Sequence, residues 1–188
     1  MNTLDILTEA GAILEGHFLL SSGLHSNKYV QCARVLQYPD MAEDLARKLG
    51  DHLFSRNADM NVDVVVSPAI GGIVIGQEMA RVLKCRAIFT ERENNVMRLR
   101  RGFEIKPGEK CLVVEDVITT GGSTKEVMEA VREHKGELVG TACIIDRSKL
   151  EDFCVSLVKL KIDTFQAHEC PLCKVNIPLV KPGSKQKA

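Results

Sequence analysis

Tryptophan is absent and aromatic residues make up only 4% of the 188-residue chain, so any large core must be aliphatic. Net charge is absent too. Twenty-five basic residues balance 25 acidic ones, which argues against a general nucleic-acid binder, because such proteins are usually basic. Any anion site must therefore be made by local charge. No apolar run approaches 18 residues, so no transmembrane helix is expected. The opening residues Met1–Asp5 lack the basic region of a signal peptide. The seven cysteines are odd in number and scattered, which is not a disulfide framework. Cys111 and Cys143 fall inside apolar runs and read as small core residues. Together these features imply a reduced, cytoplasmic protein. Two phosphate-loop motifs are missing as well. No G-x-x-x-x-G-K-[ST] string occurs, and Gly71-Gly72-Ile73-Val74-Ile75-Gly76 has the wrong interval for a dinucleotide fingerprint.

What is present centres on residues 112–124. Leu112-Val113-Val114 is an apolar run suited to a parallel strand covered on both faces. Glu115 and Asp116 follow, then Val117 and Ile118, then Thr119-Thr120-Gly121-Gly122-Ser123-Thr124. Glycine lets backbone N–H groups approach a ligand closely. Ser123 or Thr124 can cap a helix over 125–135, with Gly136 as its C′ residue. A loop that empties into a helix N-terminus binds phosphate. Two acids beside it make sense if they hold ribose hydroxyls, or Mg²⁺ through water. Strand neighbours point to opposite faces, so both acids reach one ligand only if the strand ends and bends there. The order of residues thus suggests a ribose 5-phosphate site.

Elsewhere, helices are expected over 2–14 with Thr3 as cap, over about 40–54 with Asp40 as cap, and over 73–83. Strands are expected over 28–35, 62–66, 87–90, 138–145 and 155–160. Strands alternating with helices imply a parallel sheet wound on both faces. Its ligands bind beyond the strand C-termini. Ser67–Gly72, Glu115–Thr124 and Asp146-Arg147 all fall at such ends. The stretch 91–106 carries Arg92, Arg98, Arg100 and Arg101 against Glu91 and Glu93. Taken alone it reads as a solvated hairpin. Beside a phosphate site it reads as a cationic lid. Residues from Pro178 onward should fray.

Cys170-Pro171-Leu172-Cys173 has metal-ligand spacing, with His168 nearby. One C-x-x-C and one histidine are too few for a closed zinc site, so structural cysteines are the leading reading and a zinc or redox role the alternative. His25, in a polar turn, is expected at the surface. His17 and His52 have no evident partner.

Val113–Thr124 resembles the PRPP-binding motif of the type I phosphoribosyltransferases. Phe18–Gly23 with Tyr29 resembles the hood segment of the orotate phosphoribosyltransferases, and Asp146-Arg147 resembles their orotate-contacting arginine. The likeness runs from about Thr3 to Ser148. It implies an α/β fold with a parallel twisted sheet, helices on both faces and a small N-terminal hood. The hood would span about 1–35, the core about 40–165 and a tail about 166–188. The implied reaction joins Mg²⁺-PRPP and orotate to give orotidine 5′-monophosphate and pyrophosphate, in UMP biosynthesis. Glu115 and Asp116 would be catalytic, with Mg²⁺ held mainly by PRPP and water near Asp116. The run from Glu115 through Val117, Ile118, Thr119, Thr120, Gly121 and Gly122 to Ser123 would bind PRPP. Ala69, Ile70, Gly71 and Gly72 would meet the pyrophosphate through a strained or cis peptide. Thr119, Arg147, Ser21, Ser22 and Tyr29 would hold orotate.

The sequence departs from the family's long-loop members, having no lysine or histidine between Glu91 and Ile105. Arg98 and Arg100 would then be the catalytic cations, with Arg92 on PRPP and Arg101 as a further candidate. Gly71 stands where a pyrophosphate-loop lysine is found, and Ser21 replaces a hood lysine. Arg100-Arg101-Gly102-Phe103 and the Cys-Pro-Leu-Cys segment resemble the shorter-loop branch. The family's lid acts on the neighbouring subunit, which implies a homodimer. Alternatives are another nucleobase phosphoribosyltransferase, or a non-catalytic regulator that senses PRPP.

Overall fold

The computed structural model describes residues 2–20 and 22–182. In chain order it runs α1 (Thr3–Glu9), β1 (Ile13–Leu19), β2 (His25–Val30), α2 (Ala33–Leu36), α3 (Pro39–Arg56), β3 (Val64–Pro68) and α4 (Gly72–Leu83). There follow β4 (Arg86–Glu93), β5 (Val96–Leu99), β6 (Lys110–Ile118), α5 (Gly122–Glu133), β7 (Glu137–Asp146), β8 (Val155–Lys159), β9 (Thr164–Phe165) and α6 (Pro171–Lys174).

The main sheet has the order β5-β4-β3-β6-β7-β8. All its pairings are parallel except β4 with β5. Helices cover both faces, and the two-residue period of the strands decides which side chain goes where. Val65, Leu112 and Val114 pack with Leu45 and Leu49 of α3 and with Ile75 and Met79 of α4. Val64, Val66 and Val113 pack on the other face with Val127 and Val131 of α5. These strand residues are fully buried, which explains the unbroken apolar runs. Cys111 and Cys143 are buried as well. Leu49 has no exposed surface, so truncating it to alanine would cost about 2–5 kcal/mol.

Several local expectations are corrected. The first helix stops at Glu9, because Gly11 takes a left-handed φ of 66° and Ile13 starts a strand. Its cap is Asn2, whose side chain accepts from Asp5 N–H. The strand expected over 28–35 is β2 followed by α2. Asp40 lies in the first turn of α3, and Tyr38 is the N-cap residue. After α5 the left-handed residue is Lys135, φ 61°, rather than Gly136. Gly136 is needed for space: a Cβ there would stand 2.8 Å from Ile105 and 2.9 Å from Val131.

The lobe over the sheet is built from both chain ends, not from residues 1–35 alone. Its sheet order is β1-β2-β9, all antiparallel. Of the tail expected to fray from Pro178, residues 183–188 lie outside the described residues, and Val180 is held in place. Val180 N–H donates to His17 O and Leu19 N–H donates to Val180 O, each at 2.8 Å. His25 is buried rather than at the surface, and His17, also buried, finds it as a partner: His17 Nε2 lies 2.8 Å from His25 Nδ1. His168 is exposed, 3.5 Å from Glu169. No helix among the described residues is long and apolar enough to cross a membrane.

Candidate active site

The phosphate-type loop forms where β6 hands over to α5. Neither Ser123 nor Thr124 caps the helix. Gly121 is the N-cap residue, with φ 77°, a conformation glycine adopts without strain. A Cβ at Gly121 would also press on Leu150 and Phe153 at 3.1 Å. The loop carries the N–H groups of a helix start, of which Gly122 N–H donates to Thr120 Oγ1 at 3.4 Å. A small hollow lined by Glu115 and by Thr119 through Ser123 opens over them. Thr124 is buried, and its hydroxyl donates to Glu115 Oε2.

The two acids do not sit at a bent strand end. β6 continues to Ile118, held to β7 by the pairs Val117–Ile145 and Ile118–Asp146. The strand period therefore separates the acids. Glu115 lines the loop hollow, while Asp116 lines a larger cleft of about 600 Å³. Val117, Thr119 and Thr120 are common to both hollows and form the wall between them. Neither acid has an ion-pair partner among the described residues. Burial pushes the Glu115 carboxyl up to about 7, with the Asp116 charge adding to the rise and the Thr124 hydrogen bond opposing it. Burial raises Asp116 also. Two half-buried carboxylates without an ion pair favour a ligand that brings hydroxyl donors or positive charge.

The loop after β3 closes on Asp116. Its Ala69–Ile70 peptide is cis, and Ala69 N–H donates to Thr90 O at 2.8 Å. Ile70 is 85% exposed. A Cβ at Gly71 would lie 2.7 Å from Asp116 Oδ1, so the acid occupies the room a side chain at 71 would need. Gly72 starts α4 and is itself hemmed in by Pro68, Ser67 and the Val114 carbonyl.

The larger cleft lies between the lobe and the C-terminal ends of β6 and β7. It brings together Ser22, Tyr29, Asp116, Thr119 and Arg147. Arg147 sits just past β7, where its N–H donates to Ile118 O at 2.8 Å. Its side chain is half-buried, and its Nε has no hydrogen-bond partner. Burial lowers the guanidinium pKa, opposed by Tyr29. An unmet donor on a fork-shaped cation suits a ligand with carbonyl or carboxylate oxygens. Tyr29 is steadied by Phe18, ring centroids 5.8 Å apart. Ser21 lies outside the described residues. Lys181 and Pro182 also line the cleft. The sequence offered no signal for these two beyond a basic residue near the chain end.

The arginine-rich stretch expected as a solvated hairpin or a cationic lid folds as a β-hairpin of β4 and β5. Asn94 and Asn95 take left-handed φ values of 49° and 64°, the pattern of a type I′ turn. None of its arginines lines either hollow. Arg101 makes a two-point bond to Glu91 at 2.7 and 2.8 Å. Arg92 pairs with Glu126 of α5 at 2.9 Å. Arg100 is 3.4 Å from Glu93. Arg98 is exposed and has no ion pair among the described residues.

Comparison with known proteins adds independent findings. The family model "Phosphoribosyl transferase domain" matches residues 32–169. Over 188 residues the chain is 52% identical to an orotate phosphoribosyltransferase of Caldicellulosiruptor bescii, with 98% of this chain and 97% of the relative covered. The fold is similar to that of the orotate phosphoribosyltransferase from Aeropyrum pernix, with TM-score 0.62 and 23% identity over 94% of this chain and 90% of that one. An adenine phosphoribosyltransferase from Saccharomyces cerevisiae gives TM-score 0.64 at 18% identity, over 82% of this chain and 99% of that one. Backbone likeness alone therefore does not choose the base; the close relative is what separates the two.

Proposed function

The chain belongs to the phosphoribosyl transferase family, among the orotate phosphoribosyltransferases, and from that premise we propose how its residues divide the transfer of ribose 5-phosphate from PRPP to orotate. The loop of Thr119 through Ser123 takes the 5′-phosphate on backbone N–H groups at the start of α5. The ribose lies against the shared wall, so that its hydroxyls meet Asp116 on one side and Glu115 on the other. Both carboxylates then favour the positive charge that develops at the anomeric carbon as pyrophosphate leaves.

Residues Ala69 through Gly72 offer backbone groups to the pyrophosphate. The Asp116 carboxylate has no ion-pair partner among the described residues, and a carboxylate oxygen fits a hard divalent ion. Mg²⁺ carried by PRPP would supply neutralisation of the leaving group there. Thr119, Ser22, Tyr29 and Arg147 hold orotate in the larger cleft, with the guanidinium facing its oxygens. Arg98, without an ion pair, and Arg100, whose contact with Glu93 is longer at 3.4 Å, are the lid residues freest to clamp pyrophosphate, since Arg92 and Arg101 are held at 2.9 and 2.7 Å by Glu126 of α5 and Glu91. They do not line the hollows of their own chain, which supports action across a homodimer.

The observation that carries this reading is the convergence of Arg147, Tyr29, Ser22 and Asp116 on one cleft beside the phosphate loop. The direct test follows orotate absorbance in the presence of PRPP and Mg²⁺. Orotate should be consumed with release of pyrophosphate. Turnover of adenine and none of orotate would overturn the base assignment.

A further inference from the structure

The Cys-x-x-Cys segment finds its missing partners in the lobe. Four ligand atoms converge there: one ring nitrogen each of His17 and His25, and the sulfurs of Cys170 and Cys173, all within 4.8 Å of one another. Cys170 Sγ is 3.4 Å from His17 Nε2. Cys173 Sγ is 3.7 Å from His17 Nε2 and 3.3 Å from His25 Nδ1. Ligands bonded to zinc at about 2.0–2.3 Å and at tetrahedral angles stand about 3.3–3.8 Å apart, and all three sulfur–nitrogen distances fall in that range. The 2.8 Å between the two ring nitrogens is shorter, as for a hydrogen bond.

The surroundings are those of a metal site. His17 is 2% exposed, His25 6% and Cys170 0%. His17 Nδ1 lies 2.8 Å from Ile177 O, and a carbonyl can only accept. The ring proton must therefore sit on Nδ1, which leaves the Nε2 lone pair toward the cluster. Such a backbone hydrogen bond is how metal-bound histidines are oriented. His168 takes no part; it is exposed beside Glu169.

We propose that His17, His25, Cys170 and Cys173 bind one structural Zn²⁺ ion. With four protein ligands the site is closed, leaving no position for a reacting water. The metal ties α6, a four-residue helix without a buried residue, to the hairpin of β1 and β2. The chain beyond α6 then runs beside β1 through the Val180 hydrogen bonds and brings Lys181 and Pro182 to the larger cleft. The zinc thus holds one wall of that cleft in place. The zinc assignment stands apart from the transferase reading; only the effect on orotate rests on it.

The full-length protein, purified without chelator, should contain about one zinc per chain by elemental analysis. Replacement by Co²⁺ should give the visible bands of a tetrahedral ion and a near-ultraviolet thiolate charge-transfer band. Cys173→Ser should lose the metal, while His168→Ala should keep it. Stripping zinc should lower the melting temperature and raise the KM for orotate more than that for PRPP. Zinc-free protein that takes up neither Zn²⁺ nor Co²⁺ would overturn the site, leaving a hydrogen-bonded histidine pair beside two thiols. Loss of metal in His168→Ala would overturn the ligand assignment. Should Cys173→Ser not fold, the wild-type metal content and Co²⁺ spectrum decide. A melting point that falls with orotate KM unchanged would keep the zinc and remove its link to the cleft.

Discussion

The sheet edge and the lobe above it build their halves of the cleft by different means. At the edge, functional groups follow directly from the buried runs Cys111–Val114 of β6 and Thr141–Asp146 of β7. Glu115 and Asp116 continue β6, and Arg147 follows β7. Their placement inherits the rigidity of a close-packed core. The lobe has a three-stranded sheet with one strand of only two residues. It relies on pairings between distant segments and on a cluster of histidine and cysteine. The edge can therefore be specified by a contiguous stretch of chain, whereas the lobe exists only once both chain ends have met. In the proposed division, chemistry that must not move lies at the edge, and base recognition is shared with the lobe.

If that division is right, Asp116→Asn should have the largest effect. We expect kcat to fall on the order of 100-fold or more, with the melting temperature held or raised because a half-buried charge is removed. Wild-type turnover would remove the carboxylate from the mechanism. Next comes the lid. Replacing Arg98 and Arg100 together with alanine should lower kcat by roughly 100-fold. Mixing that variant with Asp116→Asn should restore part of the activity if lids act across a dimer as proposed, since a mixed dimer would then hold one intact site. No recovery would confine each lid to its own chain.

Arg147→Ala should raise the KM for orotate about 10–100-fold, the worth of a hydrogen bond to a charged group, and leave that for PRPP nearly unchanged. Equal changes in both would place Arg147 elsewhere in the mechanism. A smaller effect comes from pH. Glu115 is raised to about 7 by burial, so the folded state holds a proton that the unfolded state releases from about pH 4.5 upward. Stability of the free enzyme should therefore fall as pH rises from about 4.5 to 7, by roughly 3 kcal/mol for this group. Activity should rise over the upper part of the same window as the carboxylate ionises. Glu115→Gln should flatten the stability slope, and an unchanged slope would assign it to another group. The smallest change is expected for Gly71→Ala. Its Cβ would stand 2.7 Å from Asp116, so the acid must rotate, and the KM for PRPP should rise several-fold. An unaltered KM would show that Asp116 has room to spare.

Much of the sheet half was legible because its signals are local. The apolar run of Leu112 to Val114, the acids and the Gly-rich loop are consecutive, and each local rule points to strand, loop or helix. The details that failed were ones of handover. Gly121, rather than Ser123 or Thr124, caps α5, and β6 runs through the acids instead of ending and bending there. Hydrogen bonding to β7 decided the second point, and no pattern within residues 112–124 contains it.

By itself, then, the sequence determined the parallel sheet, the phosphate-type loop, the paired acids and Arg147 at a strand end. Only the tertiary structure decided that Glu115 and Asp116 face different hollows. Only it filled the place of a side chain at Gly71 with a carboxylate, and joined Cys170 to His17 across 153 positions. The reason is one of range. Periodicity and turn chemistry act over a few residues. Contacts between distant segments depend on which loops close, a choice set by the whole packed molecule.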